Sequence, residues 1–327
     1  MPEKSARDDF SVSVVIPAYN VEKHIARAID SVLAQTRRAD EIIVVDDGST
    51  DGTAGVVEQY GSQVKYIIHR GNMGLSAARN TGIKAATGQW IAFLDGDDMW
   101  LPENLQRQLA LLERNPDLVW SGCNYIAHSC RDGSQTICPH GEIINNLLNG
   151  KEFVDSFFSI TNAGVVIVSC GMMVKRKVFD RVGLFREGLR YAEDIDMWWR
   201  IAYSEGKFGY LNQALAVYYQ GRPESLTADT DQRKIVKIIA DLFERHLELA
   251  EQSGKKEDIK PYINQKLRKW TYIMYCQRQF DMVGEVITRF EELLPRGYKT
   301  VMRFLTRLPY ITTLIGKRLL RLLHYDR

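Results

Sequence analysis

Over the first 125 positions, apolar residues fall into short unbroken runs separated by segments with helical spacing. Ser11 to Ile16, Glu41 to Val45, Val64 to Ile68, Trp90 to Leu94 and Leu118 to Ser121 predict five strands. Between the first two, Glu22 to Gln35 carries Ile25, Ala28, Ile29, Val32 and Leu33 at a helical period. Helices are also predicted from about Thr53 to Tyr60, from Leu75 to Ala86 and from Glu103 to Arg114. Pro102 opens the last of these, where its missing N–H costs nothing. Strands that read as continuous apolar runs are buried on both faces, so the pattern predicts an α/β fold with a mostly parallel sheet flanked by helices. After Asn124 the pattern loosens through a polar segment to about Gly150. Further strands are predicted at Val165 to Val174 and Ala214 to Tyr219, and a helix at Ala192 to Tyr203. From about Asp231 strand signals vanish, which predicts an α/β domain over 1–230 and a helical C-terminal extension over 231–327.

In open α/β sheets, ligands bind outside the carboxyl ends of the strands. The polar motifs of this chain fall at those ends: Pro17-Ala18-Tyr19-Asn20, Asp46-Asp47-Gly48-Ser49 and Asp95-Gly96-Asp97-Asp98. The last places three carboxylates within four residues, whose mutual repulsion a cation would relieve. Mg²⁺ or Mn²⁺ takes oxygen ligands, often one or two carboxylates plus the phosphates of a substrate. An acidic turn capping the next helix is the simpler alternative. Asp47-Gly48-Ser49-Thr50-Asp51-Gly52 with Glu58 nearly spells a calcium EF-hand loop, but a strand stands where that motif needs a helix. A strand-to-helix turn presenting Asp46 or Asp47 to a base or ribose fits better. Gly71-Asn72-Met73-Gly74 lacks the spacing of the dinucleotide fingerprint. It precedes a helix whose N-terminus can face phosphate, with Arg79 one turn on; Arg79 serves either that phosphate or the acidic cluster. Glu193, Asp194 and Asp196 crowd the first turn of a predicted helix. They suit the helix dipole there, or supply a general base.

Composition adds bounds. Net charge is +2, but from Arg296 onward eight Lys and Arg face the single Asp326. A basic, apolar tail on a mildly acidic body points to peripheral membrane contact through residues 296–327. No nucleic-acid partner is expected. The polar segment Met1 to Asp9 has no apolar core of a secretory signal, and no apolar stretch reaches the ~20 residues of a spanning helix. A cytoplasmic protein, peripheral on the inner membrane face, is expected. Five cysteines at irregular spacing predict free thiols. A zinc site from Cys123, Cys130, Cys138 and His140 lacks any paired CxxC.

Taken in order, Val14-Val15-Ile16-Pro17-Ala18-Tyr19-Asn20, Val45-Asp46-Asp47-Gly48-Ser49-Thr50-Asp51, Asn72-Met73-Gly74-Leu75-Ser76-Ala77-Ala78-Arg79-Asn80, Phe93-Leu94-Asp95-Gly96-Asp97-Asp98 and Glu193-Asp194 resemble the family 2 glycosyltransferases with the GT-A fold. The resemblance covers roughly residues 11 to 220. It implies a nucleotide-sugar half at about 11–124 and an acceptor half at about 125–230. It also implies that Pro17, Ala18 and Tyr19 sit beside the nucleotide, that Asp47 binds the base with Asp46 nearby, and that Asn72 and Arg79 lie by the donor. Asp95 and Asp97 match the DxD motif, with the metal chiefly on Asp97 and Asp98 an additional ligand. Asp194 matches the catalytic base, with Glu193 the fallback. The QxxRW motif and transmembrane helices of the processive members are missing, because Trp199-Arg200 lacks its leading Gln. The implied activity is an inverting, metal-dependent transfer of one sugar from a nucleoside-diphosphate sugar to a saccharide acceptor, lipid-linked in many bacterial members. A nucleotidyltransferase would need a Gly-rich basic loop after the first strand, and Pro17 to Lys23 offers none. A non-catalytic sugar-nucleotide binding module has no need of Asp194.

Overall fold

The structure, a computed structural model, describes residues 10–137, 141–222 and 232–307. Chain contacts divide it into two compact units, residues 1–230 and 231–327. The first unit is built on one ten-stranded sheet. Its strands are β1 (Val12–Ala18), β2 (Glu41–Asp46), β3 (Lys65–Ile68), β4 (Trp90–Phe93), β5 (Met99–Trp100), β6 (Trp120–Ser129), β7 (Gln135–Ile137), β8 (Phe153–Val154), β9 (Met173–Lys175) and β10 (Phe208–Gln220). The order across the sheet is β3-β2-β1-β4-β9-β6-β10-β5, with β7 added to β6 and β8 to β10. The helices are α1 (Ile25–Leu33), α2 (Thr53–Glu58), α3 (Leu75–Ala85), α4 (Asn104–Arg114), α5 (Gly141–Leu148), α6 (Phe157–Asn162), α7 (Val178–Val182) and α8 (Glu193–Ser204).

Strands β3, β2, β1 and β4 are parallel, as their unbroken apolar runs predict. Val12, Val14, Val15 and Ile16 of β1 are fully buried, as are Ile43, Val44 and Val45 of β2. The chain goes from β1 to β2 on one side and to β4 on the other, so strand order reverses beside β1. All four carboxyl ends then lie on one edge, which is where ligands bind in such sheets. Helix α3 lies close on this sheet because Gly82 has no side chain. A Cβ there would stand 2.3 Å from Val15 Cγ1.

The rest of the sheet departs from the expected pattern. β9 is antiparallel to both neighbours, β4 and β6, and joins the first four strands to the parallel pair β6–β10. The strand expected over 165–174 shrinks to Met173–Lys175, preceded by a tight turn at Ser169–Gly171. That turn is held by the Trp100 indole N–H, which donates to the Cys170 carbonyl, and Gly171 sits on the Cys123 backbone where a Cβ would crowd it at 3.1 Å. The strand expected at Leu118 to Ser121 runs on through Asn124 to Ser129 and turns back as a hairpin with β7. Both halves of this unit therefore share one sheet.

The second unit contains α9 (Gln232–Gln252), α10 (Lys256–Cys276), α11 (Phe280–Arg289) and α12 (Arg296–Arg307). Its core includes Phe243, Ile263, Leu267, Tyr275, Val283 and Ile287. Tyr298, Met302 and Leu305 of α12 are buried, while Lys299 and Arg303 pair with Glu291. The side of α12 formed by Tyr298, Met302 and Leu305 is thus consumed by packing, while Phe304 is exposed. The basic stretch Tyr310 to Leu323 lies outside the described residues, as do Cys138 and His140. Among the described residues no helix is long and apolar enough to cross a membrane, and no three His, Cys, Asp or Glu gather as a preformed metal cage. Cys123, Cys130, Cys170 and Cys276 are free thiols.

Candidate active site

Four loops meet at the carboxyl edge of β1–β4. The loops after β1 and β2 are tied together: Asn20 N–H donates to Ser49 Oγ at 3.0 Å, and Asn20 Oδ1 accepts Thr50 N–H at 2.8 Å. Gly48 lies at φ 75°, and a Cβ there would fall 2.6 Å from the Gly71 backbone. Only glycine admits both that conformation and that approach. Pro17 and Ala18 are buried in β1, Tyr19 is exposed, and Asn72 is exposed on the loop after β3.

Asp46 and Asp47 are turned inward. Asp46 accepts Ser49 N–H at 2.7 Å on one oxygen and the Tyr66 hydroxyl at 2.7 Å on the other. Asp47 accepts Met73 N–H at 2.9 Å and Gly74 N–H at 2.7 Å, and holds His69 Nδ1 at 2.7 Å. The opposite ring nitrogen of His69 lies 2.9 Å from Thr81 Oγ1 on α3. These carboxylates fasten the loop after β2 to the start of α3. Sequence reasoning missed Tyr66 and His69, since only pairing in the sheet brings them opposite the acidic residues.

The Asp95-Gly96-Asp97-Asp98 turn points its carboxylates in different directions. Asp98 is 1% exposed, and its Oδ1 accepts Tyr219 N–H at 2.9 Å. Burial raises its carboxyl well above the ordinary range. It joins the turn to β10 from the interior through Oδ1, while Oδ2 is buried without a hydrogen-bond partner among the described residues. Asp95 and Asp97 instead keep side chains 25% exposed. Asp97 is ion-paired with Arg222, just beyond β10, and its carbonyl accepts from Arg27. The Arg27 guanidinium also stacks 3.6 Å from the Tyr219 ring centroid. Neither arginine was singled out from the sequence, because nothing local in the chain marks them.

Arg79 is the centre of the site. It is 2% exposed, and its two terminal nitrogens reach Asp95 Oδ1 at 2.8 Å and Glu193 Oε1 at 2.9 Å. Burial works against its charge, but Asp95 and Glu193 outweigh that and keep it firmly protonated. Of the two roles left open by the sequence, the structure shows the guanidinium engaged by carboxylates. Glu193 and Asp194 begin α8 after Ala192, which takes the left-handed conformation at φ 60°. Burial and then the Asp194 charge push the Glu193 carboxyl up to about 7, against the pull of Arg79. Burial also raises Asp194, with Arg79 opposing and Ile195 N–H donating at 2.7 Å. Trp198 and Trp199 are buried packing residues, so neither offers a face to a sugar.

Parallel strands whose switch point gathers acidic loops around one buried arginine form a ligand site of the open α/β type, and similar proteins narrow its class. The family description "Glycosyl transferase family 2" matches residues 13–183. The chain belongs to that family. It is 35% identical over 220 residues to the uncharacterized glycosyltransferase EpsJ of Bacillus subtilis, covering 66% of this chain and 62% of that one. It is 34% identical over 192 residues to the uncharacterized glycosyltransferase RP339 of Rickettsia prowazekii, covering 58% of each. It is 41% identical over 142 residues to the Escherichia coli UDP-Glc:alpha-D-GlcNAc-diphosphoundecaprenol beta-1,3-glucosyltransferase WfgD, covering 43% of this chain and 56% of that one. The chain spans about three fifths of the length of such relatives. Among solved structures, residues 1–349 of S. aureus TarS in complex with UDP-GlcNAc match with a TM-score of 0.70 at 18% identity, covering 91% of this chain and 88% of that one. That likeness shows the fold, which is the GT-A type.

Proposed function

We propose that this protein moves one sugar from a nucleoside-diphosphate sugar to an acceptor hydroxyl with inversion, in the assembly of a bacterial surface polysaccharide or glycan. The observation that carries the reading is the Asp95–Arg79–Glu193 bridge. It joins the acidic loop suited to the diphosphate and the acidic helix suited to the acceptor in one site. Pro17, Ala18, Tyr19 and Asn72 line the nucleotide side. Asp46 and Asp47 act on it by holding these loops in shape.

Mg²⁺ or Mn²⁺ fits the remaining carboxylates. Asp95 and Asp97 are half-buried hard oxygen donors, and such ions are commonly completed by substrate phosphates rather than by an all-protein cage. When bound there, the ion neutralises negative charge on the departing diphosphate. Asp194, with Glu193 beside it, accepts the proton of the acceptor hydroxyl. Its raised affinity for protons, held in check by Arg79, suits that exchange. Attack on the anomeric carbon from the face opposite the diphosphate inverts its configuration.

The glucosyltransferase activity of WfgD and the UDP-GlcNAc complex of TarS support a UDP-sugar donor. WfgD alone supports a lipid-diphosphate acceptor. Such an acceptor would bring the protein to the inner face of a membrane, helped by Lys317, Arg318 and Arg321. Each basic residue near anionic lipid contributes about 1 kcal/mol. Co-sedimentation of the full chain with anionic vesicles at low salt tests that attachment, and protein left wholly in the supernatant rejects it. The activity is tested by incubating the protein with a panel of nucleotide sugars, Mn²⁺ and saccharide acceptors. Release of nucleoside diphosphate that EDTA abolishes is expected. Release unaffected by EDTA removes the metal from the reading, and no release with any donor removes the reading itself.

A further inference from the structure

The loop leading into the acidic pair is held by a side chain that the chemistry above does not use. Asn80 follows Arg79 on α3 and is buried. Its amide meets the Phe185 backbone much as a neighbouring strand would. Oδ1 accepts Phe185 N–H at 2.9 Å, and Nδ2 donates to the Phe185 carbonyl at 2.8 Å. Nδ2 also donates to Glu187 Oε1 at 3.0 Å. Two donors and one acceptor at this reach are what an asparagine amide supplies, and a carboxylate of the same shape has no donor.

Phe185 lies between the two acidic elements. Its ring stands edge-on to Phe93, two residues before Asp95, at 5.6 Å, and to Trp198 of α8 at 5.7 Å. From the other side, Arg200 of α8 donates to the carbonyls of Val182 and Leu184. Arg200 is itself fixed by the fully buried Asp196, which also pairs with Arg186 at 3.3 Å. The segment 182–187 is thus clasped by α3 and α8 together. A short link, 188–192, then carries the chain to Glu193.

We infer that Asn80 is a positioning residue: through Phe185 it sets Glu193 and Asp194 in register with Asp95. Arg79 and Asn80 are consecutive on one rigid helix, so the charge bridge and the loop clasp share a reference frame. The inference rests on the reading of Asp194 as the base. Small displacements of a reacting group cost large factors in rate.

The test compares wild type with Asn80→Ala, Asn80→Asp and the double variant Asn80→Asp/Glu187→Gln. In Asn80→Asp a carboxylate faces the Phe185 carbonyl and Glu187 without a proton to donate. In the double variant, the introduced glutamine amide donates to it. With folded protein verified by circular dichroism, Asn80→Asp is expected to lower kcat at saturating acceptor by about 10–100-fold. Donor KM should stay within about twofold, and the double variant should recover most of the loss, as direct coupling of neighbours requires. Amide exchange over 183–199 should quicken in Asn80→Ala without any substrate. Wild-type kcat in Asn80→Asp, or a double variant no better than it, overturns the inference while leaving the transferase reading intact. Should wild type release no nucleoside diphosphate, that reading fails by itself, and unchanged exchange over 183–199 in Asn80→Ala then overturns the positioning role separately.

Discussion

The two acidic regions of this site are built on opposite plans. Asp46 and Asp47 are buried and accept hydrogen bonds from backbone N–H groups, a tyrosine and a histidine. Asp95, Asp97 and Glu193 are balanced by arginines and keep some exposure to solvent. A carboxylate held by fixed N–H donors is part of the framework, because those donors cannot leave. One neutralised by a guanidinium can exchange that partner for a metal ion, a diphosphate or a proton. The same residue type at neighbouring strand ends is thus held by fixed backbone donors in one place and by exchangeable guanidinium partners in the other.

The contrast is sharpened most by activity. Asp194→Asn should lower turnover by about 10²–10⁴-fold, the usual scale of general acid–base catalysis, with donor affinity little changed. Asp97→Asn should abolish metal-dependent transfer while the protein stays folded. Steady-state kinetics with a nucleotide-release assay measures both, and full activity in either places that residue in the framework instead.

Arg79→Met comes next. It leaves Asp95 and Glu193 facing one another without their counter-ion. Breaking a buried charge network by removing one member costs about 3–5 kcal/mol, which urea unfolding can read. A loss below about 1 kcal/mol would mean that solvent already screens the bridge.

Asp47→Asn should act in the opposite sense to Asp97→Asn. Its carboxylate holds two backbone N–H groups, so stability should fall by about 1–3 kcal/mol. Turnover at saturating donor should change little. Lost turnover at unchanged stability would break the comparison.

The smallest effect is in pH. A Glu193 carboxyl raised from 4.5 to about 7 favours the folded state most when protonated. Its contribution is fully present below about pH 4.5 and is lost as pH rises through about 7. Urea midpoints of wild type should therefore decline across that window relative to Glu193→Gln. Parallel curves would show that folding does not change this group's proton affinity.

By itself the sequence determined the parallel direction of the first four strands, the placement of polar loops at their ends, the start of α8 at the acidic pair and the helical character after residue 231. Periodicity and turn residues are local signals, and they survive without knowledge of partners. Only the tertiary structure decided which carboxylates face inward. Asp97 and Asp98 are adjacent in one turn, yet one meets Arg222 and the other the Tyr219 backbone, 121 residues away. Asp47 is turned inward by N–H groups 26 and 27 residues on, and Arg79 reaches Glu193 across 114. The antiparallel insertion of β9 was hidden for a related reason. Three residues, of which Met173 and Val174 are fully buried, carry no mark of direction, and their pairing is set by the strands they fit between.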